Sequence, residues 1–135
     1  MTPQGMRIQI ADAEKRSMFP SGSAEMYDYT GELLGQIMVA IGSLPNDIAL
    51  IGHTDATPYR SDNGYSNWEL STDRANSSRR ALIDAGLSES RIVRVVGMAA
   101  QEPLNVEDPF SAENRRISVL TLRENHKPAD AITIQ

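Results

Sequence analysis

The sequence predicts an α/β sandwich, one sheet with helices packed on it, and two observations carry that prediction. Runs at residues 6–11, 47–53, 91–97 and 115–123 have the length and apolar patterning of strands, while residues 24–41 and 67–85 repeat apolar positions every three or four residues. Their order is strand, helix, strand, helix, strand, strand, as expected of layers packed around one core. At 135 residues with 40% apolar content the chain is long enough for a single core, and no internal repeat or low-complexity tract divides it. One Trp, four Tyr and two Phe leave that core to aliphatic side chains.

The elements follow in order. Met-Arg-Ile-Gln-Ile-Ala (6–11) alternates apolar and polar, as a half-buried strand does. Residues 15–23 read as a loop, with Ser23 placed to cap a helix running from about Ala24 to Ile41. Tyr27, Thr30, Leu34, Ile37, Met38 and Ile41 form its apolar stripe, and Gly31 and Gly35 permit close approach to a sheet. Residues 47–53 are nearly all apolar, which predicts a central strand covered by helices on both faces. After a polar loop at 56–66, a second helix spans about Asn67 to Ala85 and stops at Gly86, with Leu87 as an apolar clip. A strand at 91–97, a loop with two prolines at 98–111 and a last strand at 115–123 follow. Residues 1–123 are expected to form the domain and the aperiodic residues 124–135 a tail.

Composition removes several function classes. A net charge of −5 disfavours nucleic acid as a partner. The absence of cysteine rules out disulfides, a thiol nucleophile and thiolate metal sites. No stretch reaches the roughly 20 apolar residues of a membrane span, and the first ten residues lack the apolar core of a signal peptide. The opening Met-Thr-Pro-Gln-Gly reads as an excision from a longer protein. His53, Asp55 and His126 could be imagined around a metal, but His126 lies in the aperiodic tail, so no metal or other cofactor is expected. Asn76-Ser77-Ser78 matches a glycosylation sequon, a pattern common by chance and here mid-helix.

What remains is a charged constellation. On the second helix Leu70, Arg74, Ala75, Ser78, Ala81, Leu82 and Ala85 share one sector, while Glu69, Asp73, Asn76, Ser77, Arg80 and Asp84 face solvent. Arg74 therefore sits among residues that pack on the sheet, where a guanidinium is costly unless a carboxylate or carbonyls meet it. Asp55, at the carboxyl end of the preceding strand, is the obvious partner, and ligands bind at that end of open α/β sheets. Asn67 shares the Arg74 sector and Thr54 flanks the acid, which suits a small group carrying both an ammonium and a carboxylate. An internal Asp55–Arg74 bridge that only ties helix to strand fits the same spacing, and His53 reads as a satisfied core imidazole. Of Arg115 and Arg116, one must point to the site side and the other away, most such pairs being solvated. Ser71 has no glycine elbow or triad spacing around it, so catalysis is unsupported.

Gly-His-Thr-Asp (52–55), Tyr-Ser-Asn-Trp-Glu-Leu-Ser-Thr-Asp-Arg-Ala-Asn (65–76), Arg-Val-Val-Gly-Met-Ala (94–99) and Asn-Arg-Arg-Ile-Ser (114–118) together resemble an OmpA-type peptidoglycan-binding domain. Within that family, Asn-Trp-Glu-Leu-Ser, Val-Val-Gly-Met-Ala and Met-Phe-Pro-Ser-Gly-Ser-Ala-Glu (18–25) are most similar to the branch of the flagellar motor stator protein MotB. The resemblance implies a two-layer α/β sandwich with a mixed sheet, and non-covalent binding of peptidoglycan rather than an enzyme. It implies that Asp55 takes the ammonium of a stem-peptide diaminopimelate and Arg74 its carboxylate, with Thr54, Asn67 and Leu70 lining the pocket and Arg115 a further candidate. It further implies a periplasmic domain, a homodimer beside a channel-forming partner, and a parent protein anchored in the inner membrane by a helix outside this chain. Ala56-Thr57-Pro58-Tyr59, without the glycine usual after the aspartate, favours the stator branch over an outer-membrane porin, while a porin- or lipoprotein-type wall anchor of the same fold is the alternative.

Overall fold

In the computed structural model, residues 5–13, 15–59 and 63–122 are described. The strands are β1 (Arg7–Ala11), β2 (Ile48–His53), β3 (Ile92–Gly97) and β4 (Arg116–Thr121), and the helices are α1 (Asp28–Gly42) and α2 (Asn67–Asp84). They form one mixed sheet in the order β1-β4-β2-β3, with β4 antiparallel to both neighbours and β2 parallel to β3. α2 is the crossover of that parallel pair. The expected sandwich is present.

The register puts Ile48 and Leu50 of β2 with Ile117 and Val119 of β4 in a cluster that takes Leu34, Ile37 and Ile41 from α1 and Leu82 from α2. Ala49, Leu120 and Leu122 form a separate small cluster. Among the described residues, the apolar run of β2 thus meets helices on one side of the sheet only, where helices on both faces are expected from the sequence.

Two glycines set the distance between α2 and the sheet. A Cβ on Gly52 would lie 2.1 Å from the Ser71 carbonyl oxygen, and one on Gly97 would lie 2.0 Å from the Thr72 hydroxyl. Only glycine lets β2 and β3 approach the helix backbone this closely. The helical glycines named from the sequence do not do this: Gly31 meets only the Met26 sulfur at 3.8 Å and Gly35 meets nothing within 4 Å.

α2 begins where expected because Ser66 caps it. The Ser66 hydroxyl accepts from Trp68 N at 3.3 Å, and Glu69 reaches back to accept from Ser66 N at 2.7 Å. It ends as expected: Gly86 has φ +118°, and Leu87 is buried with its N–H donating to Leu82 O at 3.0 Å. Ser77, read as solvated, is buried and donates to the Ala24 carbonyl.

α1 starts four residues later than the pattern suggests, and Ser23 does not cap it; the Ser23 hydroxyl accepts from Glu25 N at 3.0 Å. Residues 20–24 stay out of the helix because their carbonyls accept from α2, through Arg74 and Ser77. The helix is anchored by Thr30, whose hydroxyl donates to Met18 O at 2.8 Å. Arg91 belongs to a short turn rather than to β3, and its guanidinium donates to the Ile41 carbonyl in the last turn of α1 and to the Asn46 carbonyl beyond it. The tail at 124–135 and His126 lie outside the described residues.

Candidate functional site

The site forms where β2 runs out. Beyond His53 the chain leaves the sheet, Thr54 N donating to Ala99 O and Ala56 N to Pro109 O, each at 2.9 Å. Asp55 is thereby fixed at the strand's carboxyl end and buried. Its Oδ1 accepts from Thr57 N at 2.9 Å, a local turn that orients the carboxylate. Its Oδ2 pairs with Arg115 Nη1.

Across from it, α2 supplies Asn67, Leu70 and Arg74 from one face. Asn67 Nδ2 donates to Thr57 O at 2.9 Å, joining the first turn of α2 to the loop after Asp55. Arg74, only 6% exposed, donates through Nε to Ser23 O at 2.8 Å and through Nη2 to Pro20 O at 3.2 Å. Its guanidinium carbon lies 5.0 Å from the centre of the Phe19 ring. Burial pushes the Arg74 pKa down, opposed chiefly by the charge of Asp12. The arginine remains a cation at any neutral pH.

All six residues singled out from the sequence, Thr54, Asp55, Asn67, Leu70, Arg74 and Arg115, line one cavity of about 360 Å³. The expected pairing is different, however. No Asp55–Arg74 ion pair occurs among the described residues: Arg74 is met by carbonyls, and Arg115 is the cation on Asp55. Arg115 also donates through Nε to Asp12 Oδ2 at 2.8 Å. Burial acts to lower the Arg115 pKa, but its bonds to Asp12 and Asp55 outweigh this and raise it. The reading of Asp55–Arg74 as a purely internal bridge is therefore set aside.

Sequence reasoning missed Asp12, Phe19, Gly22 and Tyr59. Asp12 carried a signal, since it continues the inward parity of Ile8 and Ile10 past the end of β1. Gly22 (φ +67°) lies where a Cβ would come within 2.9 Å of the Tyr59 ring, which a long-range contact alone determines. The Tyr59 and Tyr65 rings meet edge to face at 5.6 Å.

Arg115 and Arg116 do point to opposite sides. Arg116 is buried rather than solvated, donating to Gln9 Oε1 at 2.9 Å and to the Glu102 carbonyl at 2.7 Å. Beside it, His53 is buried as expected but not satisfied, for neither ring nitrogen has a partner among the described residues. Burial first, then the charges of Arg116 and Arg7, lower its pKa from 6.5 to about 4. Between those values the unfolded chain binds the proton and the folded chain does not, so stability is lost as the pH is lowered through that window. Acidification from pH 8 to pH 5 is expected to cost about 2 kcal/mol through this group. Denaturant titrations of wild type and His53→Gln across that range check it: the variant should show a flatter dependence by that amount.

Ser71, the hydroxyl a hydrolytic reading would use, is fully buried, donating to Trp68 O and accepting from Ala99 N at 3.0 Å. Among the described residues no three His, Cys, Asp or Glu side chains are grouped so as to hold a metal ion, and no helix is long and apolar enough to cross a membrane.

Comparison with known proteins extends these observations. The OmpA family model matches residues 18–116. Motility protein B of Escherichia coli K12 is 48% identical over 130 residues, covering 96% of this chain. The chain spans 42% of that protein's length. The solved cell wall anchor of the type VI secretion system from Pseudomonas aeruginosa has TM-score 0.70 and 28% identity over 87% of this chain and 81% of that one. A solved periplasmic domain of Helicobacter pylori MotB has TM-score 0.75 over 93% of this chain and 82% of that one, a likeness of fold at 20% identity. Since the family match takes in both helices, β2, β3 and every cavity-lining residue except Ser17, the chain belongs to the OmpA family.

Proposed function

We propose that this domain binds peptidoglycan non-covalently, holding a stem-peptide diaminopimelate in the cavity at the end of β2. Asp55 accepts the ligand's ammonium and Arg74 takes its carboxylate, with Arg115 beside both and Thr54, Asn67 and Leu70 forming the walls. The observation that carries the reading is that one carboxylate and two guanidiniums line the same cavity. Asp55 offers an acceptor for an ammonium and Arg74 a donor for a carboxylate, the two charges of a small zwitterionic group. The Arg74 Nη1 group makes no bond among the described residues and is the donor left for a carboxylate.

In the longer parent protein, the domain anchors a flagellar motor stator to the cell wall from the periplasm. It does so as a homodimer beside a channel-forming partner, held in the inner membrane by a helix outside this chain. The 48% identity to Motility protein B supports that assignment. The likeness to a secretion-system wall anchor favours a second reading, the same binding serving another envelope assembly, as in porin- or lipoprotein-type anchors.

Calorimetry with two soluble stem peptides tests the chemistry. A peptide ending in diaminopimelate should bind about tenfold or more tightly than its lysine counterpart, which keeps the distal ammonium and the terminal carboxylate but lacks the carboxylate beside that ammonium. Equal affinities for the two would overturn the assignment of Arg74.

A further inference from the structure

Asp12 lies below the cavity and is absent from its walls, yet it touches both halves of the site. Its backbone N–H donates to Arg115 O at 2.9 Å, carrying the β1–β4 pairing one step past Ala11. Its Oδ2 accepts from Arg115 Nε at 2.8 Å, and its Oδ1 accepts from Met18 N at 2.8 Å. The Asp12 side chain is 4% exposed.

We propose that Asp12 is the positioning residue that sets the cavity's preference for an amine, because it shares Arg115 with Asp55 and so keeps Asp55 available to a ligand ammonium. The inference rests on the reading of the cavity as a site for a zwitterionic group. Arg115 is strung between two carboxylates, Nε on Asp12 and Nη1 on Asp55. With Asp12, Asp55, Arg74 and Arg115 all ionised, the four charges cancel, and an added ammonium meets a partly shared carboxylate.

Neutralising Asp12 changes both features. The cluster gains one net positive charge, and Arg115 has only Asp55 left to pair with. A fully paired Asp55 is a poor acceptor for a second cation, so the amine loses its recognition while the carboxylate keeps Arg74. Asp12 also holds the segment carrying Phe19, Pro20 and Ser23, through Met18 N. That segment meets Arg74 through the Phe19 ring and the two carbonyls. In Asp12→Asn the amide oxygen can still accept from Met18 N, which leaves a donor facing Arg115 Nε and breaks only the charge pair.

The test measures a ratio, which partial unfolding does not change. The whole chain is titrated by calorimetry with the tripeptide alanyl-γ-glutamyl-diaminopimelate and with the same tripeptide acetylated on its distal amine. Wild type should prefer the free amine by about tenfold or more, and Asp12→Asn should bring that preference close to one. Arg115→Gln, which releases Asp55 altogether, should keep or increase the preference. Asp12→Asn lowering both affinities equally with the ratio intact would overturn the inference, as would loss of the preference in Arg115→Gln. A wild type that binds neither peptide would instead overturn the zwitterion reading, and the inference with it.

Discussion

Gly52→Ala should destabilise the domain by about 3 kcal/mol, the upper end of what overpacking a close contact costs. The new methyl would sit 2.1 Å from the Ser71 carbonyl oxygen and 3.4 Å from the Ala75 Cβ. The obstacle is helix backbone, which cannot rotate away as a flexible side chain can. α2 must lift from β2, and with it Asn67, Leu70 and Arg74 move relative to Thr54 and Asp55. Ligand affinity should therefore fall in the folded fraction as well, although Gly52 lines no part of the cavity. Denaturant unfolding read against Gly35→Ala makes the comparison specific. Gly35 has open space around it, so alanine there should stabilise by roughly 0.5–1 kcal/mol through helix propensity alone. A Gly52→Ala cost below about 1 kcal/mol would mean that the sheet and helix are not in this contact.

The second large effect concerns binding. Asp55→Asn should weaken co-sedimentation with purified peptidoglycan by about 3 kcal/mol, on the order of a hundredfold. The amide keeps an acceptor for Thr57 N, and Arg115 retains Asp12, so the melting temperature should change little. Arg74→Ala differs. It removes the donors on Pro20 O and Ser23 O together with the ring contact on Phe19, so its loss of binding should come with a measurable loss of stability. Binding retained by a folded Asp55→Asn protein would contradict the role assigned to the acid.

These effects also mark what the sequence made legible. β2 and α2 are readable because their patterns are long, Arg74 stands out because it breaks the apolar sector of α2, and Asp55 because it follows the end of the apolar run of β2. An arginine in a buried sector needs partners, and its proximity to Asp55 followed from placing strand end and helix start together. The identity of those partners did not follow, since the Pro20 and Ser23 carbonyls are 54 and 51 residues away. The same long-range bonds hid the start of α1, as they hold residues 20–24 out of a helix that local spacing would extend through Ala24. Local spacing points to Gly31 and Gly35 of α1 for close approach, yet the glycines that permit it are Gly52 and Gly97 in the strands. A glycine inside an apolar strand is the more telling signal. Asp12 was readable by parity alone, and the burial of Arg116 was not, because it depends on Gln9 and Glu102 from other parts of the chain.

In the proposed mode of binding, a single ligand group spans Asp55 and Arg74 within the same cavity. Nitrogen-edited NMR of the whole chain, titrated with alanyl-γ-glutamyl-diaminopimelate, addresses it most directly. The amides of Thr54 to Thr57, Asn67 to Arg74 and Arg115 should shift together along one saturation curve. Shifts confined instead to the groove between β1 and α1, around Arg16, Tyr29 and Leu33, with Asp55 and Arg74 unmoved, would contradict it.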